Sequence, residues 1–277
     1  MLHINQNFSN FHRMKKLAIV LLPMLLLAAT LNAQDLGLYQ KKELLVGTDT
    51  LRYRLLLPKE YDAGKAYPLV LFLHGAGERG SDNEAQLTHG AKLFLRSDIR
   101  QQFPAIVVFP QCPVNSFWSN VQWVYDSTTK KWDFIFPEEA EPTYAMLMLM
   151  QLMRELQKQY KVLPEQRYVM GLSMGGMGTF ELVKRMPNTF AAAIPICGGA
   201  NTANAKYMKN TAFWIHHGDA DAVVPVQLSK DMAMALQQYY STADMQLSIY
   251  PGVNHNSWDN AFADPQLLPW LFSHKRK

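Results

Sequence analysis

Seven apolar runs of strand length, separated by segments with helical periodicity, constrain this chain more than any other feature. They are Leu51–Leu57, Tyr67–His74, Ala105–Phe109, Arg167–Leu172, Ala191–Cys197, Ala212–His217 and Met245–Tyr250, each closed by Gly, Pro or a polar residue. Between them, Tyr144–Tyr160 sets Ala145, Leu149, Leu152, Leu156 and Tyr160 on one helical face, with Pro142 suited to its first turn and Pro164 stopping it. Thr179–Met186 ends before Pro187, and Val226–Tyr240 and Asp259–Phe272 complete the helical set. Strands buried on both faces read as near-continuous apolar runs. The pattern therefore predicts an α/β fold, with a mostly parallel central sheet and helices on both faces. Met146, Met148, Met150 and Met153 fit core filling in the long helix.

The chain has 277 residues, 48% of them hydrophobic, with no repeat or low-complexity tract, which excludes a disordered or fibrous class. Its formal charge of +4 gathers at the ends, in Arg13, Lys15 and Lys16 and in Lys275, Arg276 and Lys277. A nucleic-acid surface would spread basic side chains along the fold, so no such partner is expected. Lys15 and Lys16 precede an uncharged run, Leu17–Leu31, followed by Asn32-Ala33 and the polar Gln34 and Asp35. A basic region, an apolar region and a small residue at the cut are the parts of an export signal. The run falls short of the about 20 apolar residues of a spanning helix and contains Pro23, so no stable membrane anchor is expected. Residues 1–33 are read as a signal peptide initiated at Met14, and residues 34–277 as one domain of a periplasmic or secreted protein. Oligomeric state is not legible.

One stretch, about 114–141, fits no strand–helix pair. It holds Phe117, Trp118, Trp123, Tyr125, Trp132, Phe134 and Phe136. A structureless loop of this length is uncommon and often functional. The residues leave two readings open: a flap over a site, or a small hairpin packing its own aromatics onto the domain.

The chemistry centres on Ser173. Gly171-Leu172-Ser173-Met174-Gly175 follows a strand and opens a helix, the turn that presents a nucleophilic serine. A serine hydroxyl needs a base to take its proton and a carboxylate to orient that base. In chain order the base follows the acid, leaving His255 and His274; His255 lies in a loop after a strand, and His274 in the charged tail, where solvation is expected. For the acid, Asp219 and Asp221 compete within His216-His217-Gly218-Asp219-Ala220-Asp221. His216 and His217, adjacent in a strand, should face opposite ways, which disfavours a shared metal ion. The oxyanion of acyl transfer needs backbone donors. Met174, directly after the nucleophile, offers one. Ala76, in His74-Gly75-Ala76-Gly77-Glu78-Arg79-Gly80, offers the second.

Together these segments resemble the α/β-hydrolase superfamily, nearest its phospholipase/carboxylesterase-like and "predicted peptidase" esterases. The likeness rests on Leu73–Gly80, Pro110-Gln111-Cys112-Pro113, Gly171–Gly176, His217-Gly218-x-x-Asp221-x-x-Val224-Pro225 and His255-x-Ser257-Trp258, and runs from about residue 50 to 272. It implies the α/β-hydrolase fold and makes Asp221 the acid, leaving Asp219 as a loop-shaping residue. The aromatic insert departs from the simplest members. The resemblance also implies two strands between those preceding Cys112 and Cys197, about 14 Å apart and beyond the about 7 Å a disulfide spans, so both thiols are expected reduced and buried.

The expected activity is that of an exported serine carboxylesterase acting through an acyl-enzyme, with Ser173, His255 and Asp221 as triad and the Ala76 and Met174 amides as oxyanion hole. No metal or organic cofactor is needed. Substrates are small-molecule or polysaccharide-linked esters, with acyl esters of plant polysaccharides suggested by the Trp content of the insert. Glu78, Arg79, Trp118 and Trp258 are candidate substrate contacts, Glu78 and Arg79 alternatively forming an ion pair that shapes their loop. A peptidase of the same fold and a catalytically inactive binding protein are the competing readings.

Overall fold

Successive residues of a strand face opposite sides of a sheet, and here that alternation feeds two cores. In β3 (Tyr67–Leu73), Leu69, Leu71 and Leu73 enter one core, and Val70 and Phe72 the other. In β4 (Ile106–Pro110), Ile106 and Val108 part from Val107 and Phe109 in the same way. Such strands must be covered twice. In the computed structural model, which describes residues 35–128, 130–239 and 244–276, they are. The segment assigned to the signal peptide lies outside the described residues, apart from which Leu36–Lys277 forms a compact unit. Among the described residues no helix is long and apolar enough to cross a membrane.

The main sheet has eight strands. To β3 and β4 it adds β1 (Gln40–Val46), β2 (Asp49–Leu56), β7 (Val162–Leu172), β8 (Ala192–Ile196), β9 (Ala212–Gly218) and β10 (Met245–Tyr250), in the order β1-β2-β4-β3-β7-β8-β9-β10. All pairings from β4 to β10 are parallel; β1–β2 and β2–β4 are antiparallel. All seven expected strands are present. The one not foreseen, β1, is Gln-Lys-Lys-Glu-Leu-Leu-Val, whose charged first half suits an edge strand and hides its period.

One face is covered by α3 (Tyr144–Gln159), α4 (Met174–Arg185) and α5 (Val226–Gln237). The other carries α1 (Ala91–Leu95), α2 (Ser97–Gln102), α6 (Trp258–Ala263) and α7 (Leu267–Ser273). Met146, Met148 and Met153 are buried in the first core. α3 starts at Tyr144 as expected, Pro142 lying just before its cap Thr143, whose hydroxyl oxygen accepts from the Met146 N–H at 3.1 Å. Two helix boundaries differ from expectation. α4 starts at Met174, not Thr179, because Gly175, Gly176 and Gly178 carry poor helix propensity yet are required by packing. Asp259–Phe272 is two short helices, interrupted around Pro265, which cannot continue the hydrogen-bond ladder.

The aromatic insert contains a hairpin, β5 (Gln122–Asp126) paired with β6 (Lys131–Ile135). Its foot, Phe134, packs with Met177 and Val224. Cys112 and Cys197 are free and buried, at the ends of β4 and β8 with β3 and β7 between them.

Candidate active site

The loops at the carboxyl ends of β3, β7, β9 and β10 come together at Ser173, the usual ligand edge of an open α/β sheet. Ser173 stands at the turn from β7 into α4 with φ 54° and ψ −118°, a strained conformation for a residue with a side chain. Its neighbours explain why the turn closes. A Cβ on Gly171 would lie 2.2 Å from the Gly175 carbonyl oxygen, and one on Gly175 2.0 Å from the Leu73 carbonyl oxygen. Only residues without a side chain let the turn approach β3 so closely.

His255, after β10, brings Nε2 to 2.9 Å from Ser173 Oγ. Its Nδ1 lies 2.8 Å from Asp221 Oδ2, after β9. The three sequence-predicted residues thus form one continuous hydrogen-bonded chain. Asp221 Oδ1 accepts from the Val223 and Val224 amides at 2.8 and 2.9 Å. Burial alone would raise the Asp221 carboxyl. Hydrogen bonds from His217, His255 and the Val224 amide outweigh it and hold the group well below the usual carboxylate range. Asp221 is therefore an anion beside an imidazole, and a neutral His255 can accept the Ser173 proton.

Asp219 shapes the loop, as expected: its Oδ1 accepts from the Gly252 amide at 2.6 Å. Asn254, not singled out in the sequence, ties the two loops together, its Oδ1 accepting from the Ala222 and His255 amides at 2.9 and 2.8 Å. His274 is not the solvated tail residue expected. Its Nδ1 meets the Trp270 carbonyl at 2.8 Å and its Nε2 lies 3.5 Å from Asp244, away from Ser173.

Ala76 and Met174 each begin a helical turn, Ala76–Glu78 and α4, so neither amide has an intrahelical acceptor. Gly75 carries the first loop against the serine: a Cβ on it would sit 3.7 Å from Ser173 Cβ. His74 anchors that loop from below. Its Nε2 accepts from the Cys112 amide at 2.9 Å, so its proton is on Nδ1, donated to the Gly75 carbonyl at 2.6 Å. Burial, helped by the Arg79 charge, lowers its pKa to about 4.

The four candidate substrate contacts divide. Trp118 is fully buried, its Nε1 donating to the His74 carbonyl at 3.2 Å and its Cβ filling the space left by Gly178; it braces the loop and cannot meet a substrate. Arg79 does not pair with Glu78. Its Nε donates to the Ala76 carbonyl at 3.0 Å, its Nη1 to the Val114 carbonyl at 3.0 Å, and its guanidinium lies 4.3 Å over Phe117, fastening the loop to the insert. Glu78 instead lies between two imidazoles, with His74 Nδ1 3.9 Å and His89 Nε2 3.8 Å away. Trp258 stacks edge-on against His255 at 5.5 Å and packs on His89 at 5.0 Å, forming a wall beside the imidazole.

His216 and His217 face opposite ways. His216 meets the Tyr250 hydroxyl at 2.8 Å on one side, and His217 meets Ser229 on the other. Cys197 Sγ lies within 4.8 Å of ligand atoms of Asp221 and His255. Burial pushes that thiol far up.

An eight-stranded, mostly parallel sheet in which β2 alone runs against its neighbours, with Ser173, Asp221 and His255 drawn from the loops after β7, β9 and β10, defines the α/β-hydrolase class. Within it, the phospholipase/carboxylesterase family profile matches residues 60–266, and the chain belongs to that family. A thermostable esterase of known structure is similar over 87% of this chain at 32% identity and TM-score 0.76; the chain spans 64% of that protein's length. The feruloyl esterase module from Clostridium thermocellum, solved with sinapinate, shares the fold at 16% identity and TM-score 0.60, covering 84% of this chain and 87% of its own. A ferulic acid esterase from Anaeromyces mucronatus, solved with ferulic acid, does so at 16% identity and TM-score 0.55, with coverages of 84% and 87%. No curated protein sequence matches significantly.

Proposed function

We propose that this protein is a serine carboxylesterase working through an acyl-enzyme. The observation that carries the reading is the unbroken relay from Ser173 Oγ through His255 to Asp221, at 2.9 and 2.8 Å. Ser173 Oγ attacks the ester carbonyl as its proton passes to His255 Nε2. Asp221, already anionic, keeps the Nδ1–H in place and stabilises the imidazolium. The proposed oxyanion donors are the Ala76 and Met174 amides, each first in its helical turn and so without an intrahelical acceptor. His255 then protonates the departing alcohol, leaving Ser173 acylated. Water attacks that ester with His255 again as base, releasing the acid and restoring the serine. No step calls for a metal or organic cofactor.

The proposed substrates are acyl esters of plant polysaccharides, in a protein exported by residues 1–33 with residues 34–277 as its working domain. Support comes from the hairpin, where Trp123 is 42% exposed, Trp132 47% and Tyr125 48%, and whose foot, Phe134, packs with Met177 and Val224, residues whose amides bond the Ser173 carbonyl and Asp221 Oδ1. The feruloyl esterases that share the fold are consistent with aromatic acyl groups. Fluorophosphonate labelling at Ser173, followed by parallel assays on aryl acetates, hydroxycinnamoyl esters, acetylated xylan and peptides, tests the reading. Faster cleavage of peptides than of every ester would replace it with a peptidase. N-terminal sequencing of protein recovered outside the cytoplasm tests the cut near Gln34.

A further inference from the structure

Against Asp221 Oδ2, the same oxygen that meets His255, lies a second imidazole that the proposed relay does not use. We propose that His217 is an imidazolium, protonated on both nitrogens, that fixes Asp221 and offsets its charge, and so acts as a positioning residue for the relay. The proposal rests on the esterase reading for its catalytic consequence but not for the charge itself.

The hydrogen inventory around the ring requires both protons. Ser229 Oγ lies 2.8 Å from the Gly198 carbonyl oxygen and 2.7 Å from His217 Nδ1. A hydroxyl has one proton. A carbonyl can only accept, so that proton goes to Gly198, and the Ser229 lone pair faces Nδ1, which must donate. On the other side, Nε2 lies 3.0 Å from the Val224 carbonyl oxygen and 3.2 Å from Asp221 Oδ2. Both are acceptors, so Nε2 must donate too. The imidazole and the Asp221 carboxylate are each fully buried. A buried cation persists only beside a counterion, and the anion is present.

Three other histidines provide internal contrast. His74 Nε2 accepts from an amide, so that ring is neutral. His255 Nε2 faces the Ser173 hydroxyl, which can donate to it. His216 faces the Tyr250 hydroxyl at Nδ1, with no partner at Nε2. Of the four, only His217 has obligate acceptors against one nitrogen and a committed hydroxyl against the other. The titratable groups at this point are Asp221 from its own loop, Cys197 from the end of β8 and His255 from the loop after β10. α5 contributes the uncharged Ser229.

The consequence is a carboxylate shared between two imidazoles. A bare buried aspartate would draw the relay proton strongly onto His255. With His217 beside it, the pull is tempered, and His255 stays free to act as base at lower pH.

Two measurements test this. Long-range 15N–1H spectra of the resting protein at neutral pH should show both His217 nitrogens protonated, assigned by their loss in His217→Gln. Because the wild-type protein is observed and no turnover is involved, this reads the charge even if no ester is cleaved. Second, His217→Gln keeps a donor but removes the charge. Its kcat/KM should lose its acid limb about one pH unit higher than in the wild type, with kcat down about tenfold and KM little changed. An unprotonated nitrogen on wild-type His217, or an acid limb that does not move in a folded variant, overturns the proposal.

Discussion

The serine turn and the aromatic hairpin are neighbours built on opposite principles. The turn is enclosed: Ser173 is held in a strained conformation because backbone from β3 and α4 presses on it from both sides. The hairpin is a two-stranded ladder whose buried foot, Phe134, clusters with Met177 and Val224, while Trp123, Tyr125 and Trp132 are exposed. Reacting groups sit where many contacts agree on one geometry. The surface proposed to meet a substrate sits where few do. A methyl group in the first region should therefore matter more than a whole indole in the second.

The largest test of that contrast is Ser173→Ala. It should lower kcat by about 10⁴–10⁶-fold while thermal unfolding stays where it was, because the proton relay loses its nucleophile and the core loses nothing. Turnover within tenfold of wild type would take Ser173 out of the chemistry. Gly175→Ala comes next. Its Cβ meets backbone that cannot step aside, so denaturant unfolding should show a loss of about 3 kcal/mol or more, with activity lost alongside. Unchanged stability would mean the turn is far looser than its contacts imply.

Acidification separates the regions without a mutation. Burial lowers His216 to about 3 and His74 to about 4, both in or just after sheet strands, whereas the hairpin holds no histidine. Below about pH 6.5 the unfolded chain takes up these two protons and the folded chain does not. Stability is thus present above that value and lost as pH falls, by about 2.5 kcal/mol per unit near pH 5. Urea titrations at pH 7, 6 and 5 measure the slope; a flat profile would contradict the buried neutral state.

The smallest expected effect is that of Trp132→Ala on the exposed end of the hairpin. Stability should change by no more than about 0.5 kcal/mol, and kcat/KM for a small aryl acetate by less than about twofold. For a feruloylated oligosaccharide it should fall up to about tenfold, the worth of one aromatic contact. Equal effects on both substrates would remove the hairpin from selectivity.

Much of this was legible in the chain. Continuous apolar runs specify a doubly covered sheet because a strand with two apolar faces has no other stable surroundings. The elbow at Ser173 was visible because only glycine tolerates its packing, and His255 followed from loop position. Where local preference and tertiary demand conflict, the sequence misleads. The first turn of α4 is glycine-rich, so helical periodicity begins only at Thr179 and the serine motif alone reports the earlier start at Met174. The charged start of β1 masks an edge strand. Arg79 and Trp118 looked available to a substrate. Carbonyl oxygens and a glycine gap three to four dozen residues or more away claim them instead, and no local pattern reports such partners.

By itself, then, the sequence determined the class of fold, the nucleophile and its base, since these depend on periodicity and on short motifs read in order. It narrowed the acid to two aspartates and left the insert open between flap and hairpin. Tertiary structure decided the rest. It set Asp221 against His255 while turning Asp219 to a backbone amide, seated the hairpin foot on Met177 and Val224, and placed His217 against the same Asp221 oxygen. Those outcomes depend on which loops of a parallel sheet converge at its carboxyl edge, a property of strand order that no single segment carries.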